Sequence, residues 1–216
     1  MTVANIAGKE PMSADLSLTA GGFVAYAARV SNPGNQMSTW TYDRLLAYLR
    51  RARHWSPFEM SNAVIEITTT RDISHQFIRH HSFRFQEFSQ RYAEATGFHI
   101  FPARRQDDKN RQNSIDDLPP EIQRWWEDAQ TRVIDMTTSI YREALDKEIA
   151  KECARKVLPE GLTETTFYAN GYLRSWMHYL AQRLDPATQK EHRDVAIACE
   201  EVLRQNIPEV FDIKEN

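Results

Sequence analysis

Apolar side chains recur at helical spacing from Tyr42 through Leu45, Leu46 and Leu49, and Thr41 stands where an N-cap belongs; this predicts an amphipathic helix over 42–52. Residues 62–70, NAVIEITTT, alternate in polarity and are rich in β-branched residues, which predicts a strand. Residues 119–148 give the longest helical pattern, with proline at the start and a stripe of Ile122, Trp125, Trp126, Ala129, Val133, Met136 and Ile140. A helix is expected within 19–30 after the glycines, and Asp72 is placed to cap another over 73–81. Residues 150–157 read as helical up to Pro159, 163–169 as strand-like, and 171–182 and 187–205 as two helices split by RLDP. Residues 1–14 read as a tail or edge strand, 31–38 and the polar 104–117 as loops, Pro57 as a helix breaker, and Asn170-Gly171 as a turn. Repeats, low-complexity tracts and linkers are missing from the sequence. The expectation is one α+β domain over 1–216, richer in helix than strand.

A chain of 216 residues with 41% hydrophobic and 26% charged residues has the makeup of a globular protein that buries an ordinary core. A formal charge of −3 argues against a general nucleic-acid binder, which carries a basic excess. The two cysteines, Cys153 and Cys199, form no CxxC pair, so a reducing cytoplasm is expected rather than a disulfide framework. No apolar run suits a membrane span, and the N-terminus lacks a signal-peptide layout.

Within this acidic chain one stretch stands apart. Residues 79–92, RHHSFRFQEFSQRY, crowd Arg79, Arg84, Arg91, His80 and His81 around four aromatic rings and Glu87. Such a local basic cluster points to one discrete anionic ligand. Arginine suits phosphate because its planar fork binds two oxygens and its charge is permanent. Ser89-Gln90-Arg91 also offers successive backbone N–H groups to an anion. Metal is disfavoured, because His75 and His80 are five residues apart and a helix turns such rings away from each other. Both cysteines sit at small-residue positions of helices and are expected to be buried and structural rather than nucleophilic. His54 before SPFE reads first as a helix end.

The stretch resembles the signature of flavin-dependent thymidylate synthases: Arg-His-Arg, two free positions, Ser, four free positions, Ser, one free position, Arg. Arg79, His80, Ser89 and Arg91 match it; His81 replaces the second arginine and Arg84 the first serine. The flanks agree in order. AARVS (27–31), HWSPFE (54–59), QFIRH (76–80), ARKVLP (154–159) and NGYLRSWMHYLAQR (170–183) are each similar to family segments, over about 15–205 of the chain.

The resemblance implies an α+β fold with a central, mostly antiparallel sheet and long helices, assembled as a homotetramer with active sites where subunits meet. It implies the conversion of dUMP to dTMP, with methylenetetrahydrofolate as carbon donor, FAD carrying the hydride, NADPH as reductant, and no cysteine nucleophile. For dUMP it implies Gln76, Arg79, Glu87, Ser89, Gln90, Arg91, Arg155 and Arg183, with Arg183 the catalytic group against the uracil. For FAD it implies Ser31, His54, Ser56, Glu59, Arg79, His80, His81, Glu87, Asn170 and His178. No metal, membrane or nucleic-acid partner is implied.

The departures carry consequences. His81 has no permanent charge, so flavin binding is expected to be weaker or pH-dependent unless Arg84 supplies the cation. Two other readings stay open on the sequence: a related flavoenzyme that methylates or hydroxymethylates dUMP or dCMP, and a non-enzymatic nucleic-acid-binding module.

Overall fold

In the computed structural model, which describes residues 3–7, 19–36, 38 and 41–212, a four-stranded antiparallel sheet organises the chain. With strands numbered along the chain, β1 (Val3–Ala7), β2 (Asn62–Thr70), β3 (Phe83–Glu87) and β6 (Glu164–Tyr172) lie in the order β1-β2-β6-β3. Residues 1–2 and 8–14 of the expected tail lie outside the described residues, while Val3–Ala7 forms the edge strand. The expected strand over 62–70 forms over those residues, and its alternation buries Ala63, Ile65 and Ile67.

β6 runs past its expected end. Asn170 and Gly171 do not form a turn; they pair with Val64 and Ala63 of β2 and with Arg84 and Phe83 of β3. The glycine serves close packing, since a Cβ there would lie 2.3 Å from Cε1 of Phe83. On the other face Tyr168 and Tyr172 remain exposed.

The helices are α1 (Ala20–Ala28), α2 (Tyr42–Arg51), α3 (Arg71–Phe77), α4 (Pro120–Asp146), α5 (Lys151–Ala154), α6 (Leu173–Arg183), α7 (Lys190–Asn206) and α8 (Pro208–Phe211). α1 includes the glycines instead of following them, because the Thr19 hydroxyl accepts from Gly22 N at 3.0 Å and caps the helix ahead of them. Thr41 precedes α2 but makes no side-chain cap; its hydroxyl accepts from Arg29 Nη2 at 2.8 Å. Asp72 caps no helix over 73–81: it accepts from the Thr70 hydroxyl at 2.6 Å, and α3 ends at Phe77. The polar 104–117 segment is not a plain loop. It folds as a hairpin of β4 (Arg105–Gln106) and β5 (Ser114–Ile115), tied by Arg105 to Asp117 at 2.7 Å.

The core lies between the apolar face of the sheet and α1, α2, α6, α7 and α8, with Phe58, Phe77, Phe167 and Trp176 wholly buried. Trp176 Nε1 donates to the Ala63 carbonyl at 3.1 Å, satisfying the indole inside the core. His192 of α7 is also wholly buried, its ring 5.9 Å from that of Phe77. Burial, then the charge of Arg183, pushes His192 down to about 3. α4 stands apart from this core. The carboxamides of Gln123 and Gln130 pair with both backbone groups of Ala103 and of Phe101, while Trp125, Val133, Met136 and Ile140 of its apolar stripe stay exposed.

Two outcomes follow from this packing. Gly171→Ala should lower the unfolding free energy by about 1–3 kcal/mol in chemical denaturation, the cost of overpacking. His192 is neutral when folded and takes up a proton when unfolded, so stability should be level above its ordinary value of 6.5 and fall as pH drops below it toward about 3. The slope contributed is at most about 1.4 kcal/mol per pH unit. Denaturation midpoints measured across that range should decline less in His192→Gln.

Candidate active site

Sheet register and the two ends of α6 place the polar groups. Arg84 stands opposite Asn170 across β3 and β6, on the face turned away from the core. Asn62 of β2 shares that face and donates through Nδ2 to Asn170 Oδ1 at 2.7 Å. The first turns of α6 add Arg174, Ser175 and His178, and the 3-10 turn over Ser56–Glu59 adds Glu59. Together with His81, Ser82 and Tyr172 these groups line an open cleft of about 700 Å³, a size suited to a cofactor.

Inside the cleft, Arg174 is ion-paired with Glu59. Arg84 is not neutralised: its Nη1 donates to the carbonyls of Phe83 at 2.8 Å and His81 at 3.2 Å, and no carboxylate pairs with it among the described residues. The cleft therefore offers a free guanidinium next to two imidazoles, His81 and His178. That donor set fits an anionic, hydrogen-bonding ligand.

Of the residues expected for flavin, Glu59, His81, Asn170 and His178 converge here. Ser31, His54 and Ser56 are exposed and do not line the cleft within this chain; the His54 ring lies edge-on to Tyr48 at 5.8 Å. Glu87 faces inward, its Oε1 accepting from Ser74 at 2.7 Å and from Thr165 at 3.0 Å. Arg71 lies 3.7 Å from the same oxygen.

The residues expected for dUMP fall into two groups. In the first, Gln76 and Arg183 gather where α3, α6 and α7 meet, beside His80, a residue expected for flavin. Arg183 Nε donates to His80 Nε2 at 3.0 Å, and Gln76 Oε1 lies 3.3 Å from His192 Nδ1. Burial, followed by the charges of Arg183 and Arg79, brings His80 down to about 4, so it is neutral near pH 7. Arg79 is exposed at this edge. In the second group, Ser89, Gln90 and Arg91 follow β3. Arg91 Nε donates to Glu152 Oε2 of α5 at 3.1 Å, and Arg155 begins the next turn. Gln90 is buried and its Nε2 has no partner among the described residues. No hydrogen bond or ion pair joins the two groups among those residues.

Cys199 is buried, and burial pushes its thiol up, away from nucleophilic character. Cys153 is exposed, contrary to the expectation that both are buried, because α5 is a single short turn whose buried position is taken by Ala154. Sequence reasoning also missed Asn62, Arg174, Tyr172 and His192. Arg174 carried a usable signal, lying four residues before His178 on one helix face. Asn62 carried none until strand pairing was known.

The sequence model of the thymidylate synthase complementing protein family matches residues 16–209. A flavin-dependent thymidylate synthase of Synechocystis sp. is 47% identical over 201 residues, 93% of this chain and 89% of that protein. A probable flavin-dependent thymidylate synthase of Paramecium bursaria Chlorella virus 1 is also 47% identical, over 195 residues and 89% of each chain. Among solved structures, a UMP/dUMP methylase from Streptomyces cacaoi bound with 5-Br UMP has the same fold, with a TM-score of 0.81 at 24% identity over 99% of this chain and 93% of that one. A sequence matched along nearly its whole length by the family and its curated members, and folded like a solved pyrimidine-nucleotide methylase, belongs to the flavin-dependent thymidylate synthase family.

Proposed function

We propose that this chain, acting as one domain within a cytoplasmic homotetramer, methylates dUMP reductively to dTMP. Methylenetetrahydrofolate supplies the carbon and NADPH the reducing equivalents. FAD, when bound, would take hydride from NADPH and supply it to the one-carbon unit on the pyrimidine. The observation that carries the reading is the convergence of three stretches distant in sequence, Glu59 with Asn62, residues 81–84 and residues 170–178, on one cationic cleft.

In this reading the cleft holds the flavin. Arg84, without a carboxylate partner among the described residues, gives the permanent charge that His81 lacks and would meet the cofactor's phosphates. Asn62 and Asn170 hold polar atoms of the cofactor, and Glu59 orients Arg174. Ser31, His54, Ser56, Arg79 and His80 complete the site from the surrounding surface, with Glu87 fixing α3 against β6 behind it. Arg79, Arg91 and Arg155 neutralise the nucleotide phosphate, the Ser89 and Gln90 N–H groups donate to it, and Gln76 holds the ribose or base. Arg183 faces the pyrimidine carbonyl and stabilises the negative charge that builds as C5 becomes nucleophilic, an interaction worth about 10²–10³ in rate. Neither cysteine takes part.

A site shared between subunits is supported by three features. The two arginine groups lie toward opposite ends of β3, whose five residues span about 16 Å. The tyrosines on the outer sheet face are exposed, and so is the apolar stripe of α4, a surface of the kind that proteins cover with a partner.

The purified protein with FAD, methylenetetrahydrofolate and NADPH should form dTMP only when dUMP is added, and the Cys153→Ser/Cys199→Ala double variant should do the same. Flavin reduction without dTMP would point to another pyrimidine acceptor. Arg84→Ser should weaken FAD binding by roughly 10–100-fold, the loss of one charge-assisted contact, and His81→Arg in that background should recover it. Fluorescence titration of FAD measures both.

A further inference from the structure

Arg183 meets an uncommon partner for a guanidinium. Its Nε donates to an imidazole nitrogen, His80 Nε2, at 3.0 Å. Neither Nη group donates to protein, and no carboxylate pairs with it, among the described residues. Arginine is a donor only and does not deprotonate. His80 Nε2 must therefore carry the lone pair, and the ring proton sits on Nδ1.

The ring is held from several sides. Tyr179 meets it edge-on at 5.1 Å, Phe77 at 5.9 Å and Phe83 at 6.4 Å. His192 lies behind it at 6.3 Å, with no exposure to water. Gln76 donates through Nε2 to Gln189 Oε1 at 2.7 Å, which turns its own Oε1 toward His192 Nδ1 at 3.3 Å. His192 thus also has its proton on Nδ1. The charged groups facing His80 are Arg183 and Arg79, and both favour the neutral ring. Burial keeps the acceptor uncharged, and the cation that needs an uncharged acceptor adds to that effect.

The physical difference from an ordinary arginine contact lies in the field. A carboxylate would orient the guanidinium but cancel much of its charge at the pyrimidine. An imidazole lone pair gives direction at one nitrogen and leaves the charge intact. We propose that His80, as a neutral Nδ1–H imidazole, is the positioning residue that aims Arg183 through its Nε and leaves both Nη groups for the substrate. This rests on the reading of Arg183 as the group that faces the pyrimidine, and it gives His80 a task distinct from contact with the flavin.

The first experiment needs no catalysis. Imidazole 15N spectra of the protein without nucleotide should show His80 Nε2 unprotonated between pH 6 and 8. In Arg183→Met the ring should populate both tautomers and titrate nearer its ordinary value. A protonated Nε2 in the unsubstituted protein, or spectra unmoved by Arg183→Met, overturns the proposal. The second experiment is kinetic, at saturating FAD. His80→Ala should lower kcat by about 10–100-fold, the cost of a misplaced catalytic group. His80→Gln, whose Oε1 falls near the position of Nε2, should recover most of that loss. His80→Glu should restore the hydrogen bond but stay low, because it neutralises Arg183. If the Ala variant loses only FAD affinity and keeps kcat, His80 is a flavin contact and the positioning role is wrong. If the unsubstituted protein makes no dTMP at all, the parent reading fails, while the spectra still decide whether His80 orients Arg183.

Discussion

The ring of Phe77 is where α3, β3, β6, α6 and α7 meet. It lies 4.4 Å from Tyr179, 5.3 Å from Phe167, 5.7 Å from Phe83 and 5.9 Å from His192, with no exposure to water. Each such aromatic pair adds about 0.5–1.5 kcal/mol beyond its buried area. Its position in the chain matters more than its energy. Phe77 and Phe83 are the two ends of the loop that carries Arg79, His80, His81 and Ser82, and both ends are fixed in one cluster. The polar residues between them have little freedom to turn, so a charged loop at the surface inherits the rigidity of the core. The same cluster touches His80 itself, at 5.9 Å from Phe77, which joins the apolar interior directly to the chemistry.

From that fixed loop the site spreads along two supports. β3 carries Arg84 outward to face Asn170, while Glu87, at the far end of the same strand, is turned inward to Ser74 and Thr165. Period-two alternation explains why residues so close in sequence do opposite things. Arg91 and Arg155 then lie beyond the strand beside α5, where Glu152 holds Arg91 in place. An anion bound at Arg91 would have to compete with that carboxylate.

Much of this was legible from residue order. The strand at 62–70 and the long helix at 120–146 were readable because each has a strong period of its own. Asn170-Gly171 misled because the pair is a good turn former, and only the ring of Phe83, which lies far away in sequence, demands a glycine there. The hairpin in 104–117 was hidden because ion pairs hold it together rather than an apolar pattern. The stripe on α4 was visible, but its exposure was not: periodicity shows that a face is apolar, not what covers it. Within the site, the signature itself was readable. The neutrality of His80 and the burial of His192 were not, since both depend on which helices come together around Arg183.

α6 joins the cleft to the Arg183–His80 pair. Its first two turns supply Arg174, Ser175 and His178 to the cleft, and its last residue is Arg183. A helix rises about 1.5 Å per residue, so Arg174 and Arg183 are held about 13 Å apart along the axis, with an angular offset that is equally fixed. The helix is therefore a ruler as well as a scaffold. Its side chains can be exchanged wherever they meet neither cleft nor core, but its length cannot change: one residue inserted between His178 and Arg183 would turn Arg183 by about 100° away from His80 while leaving His178 in place. Spacing along this one helix is inherited information of the same rank as the identity of the residues at its ends.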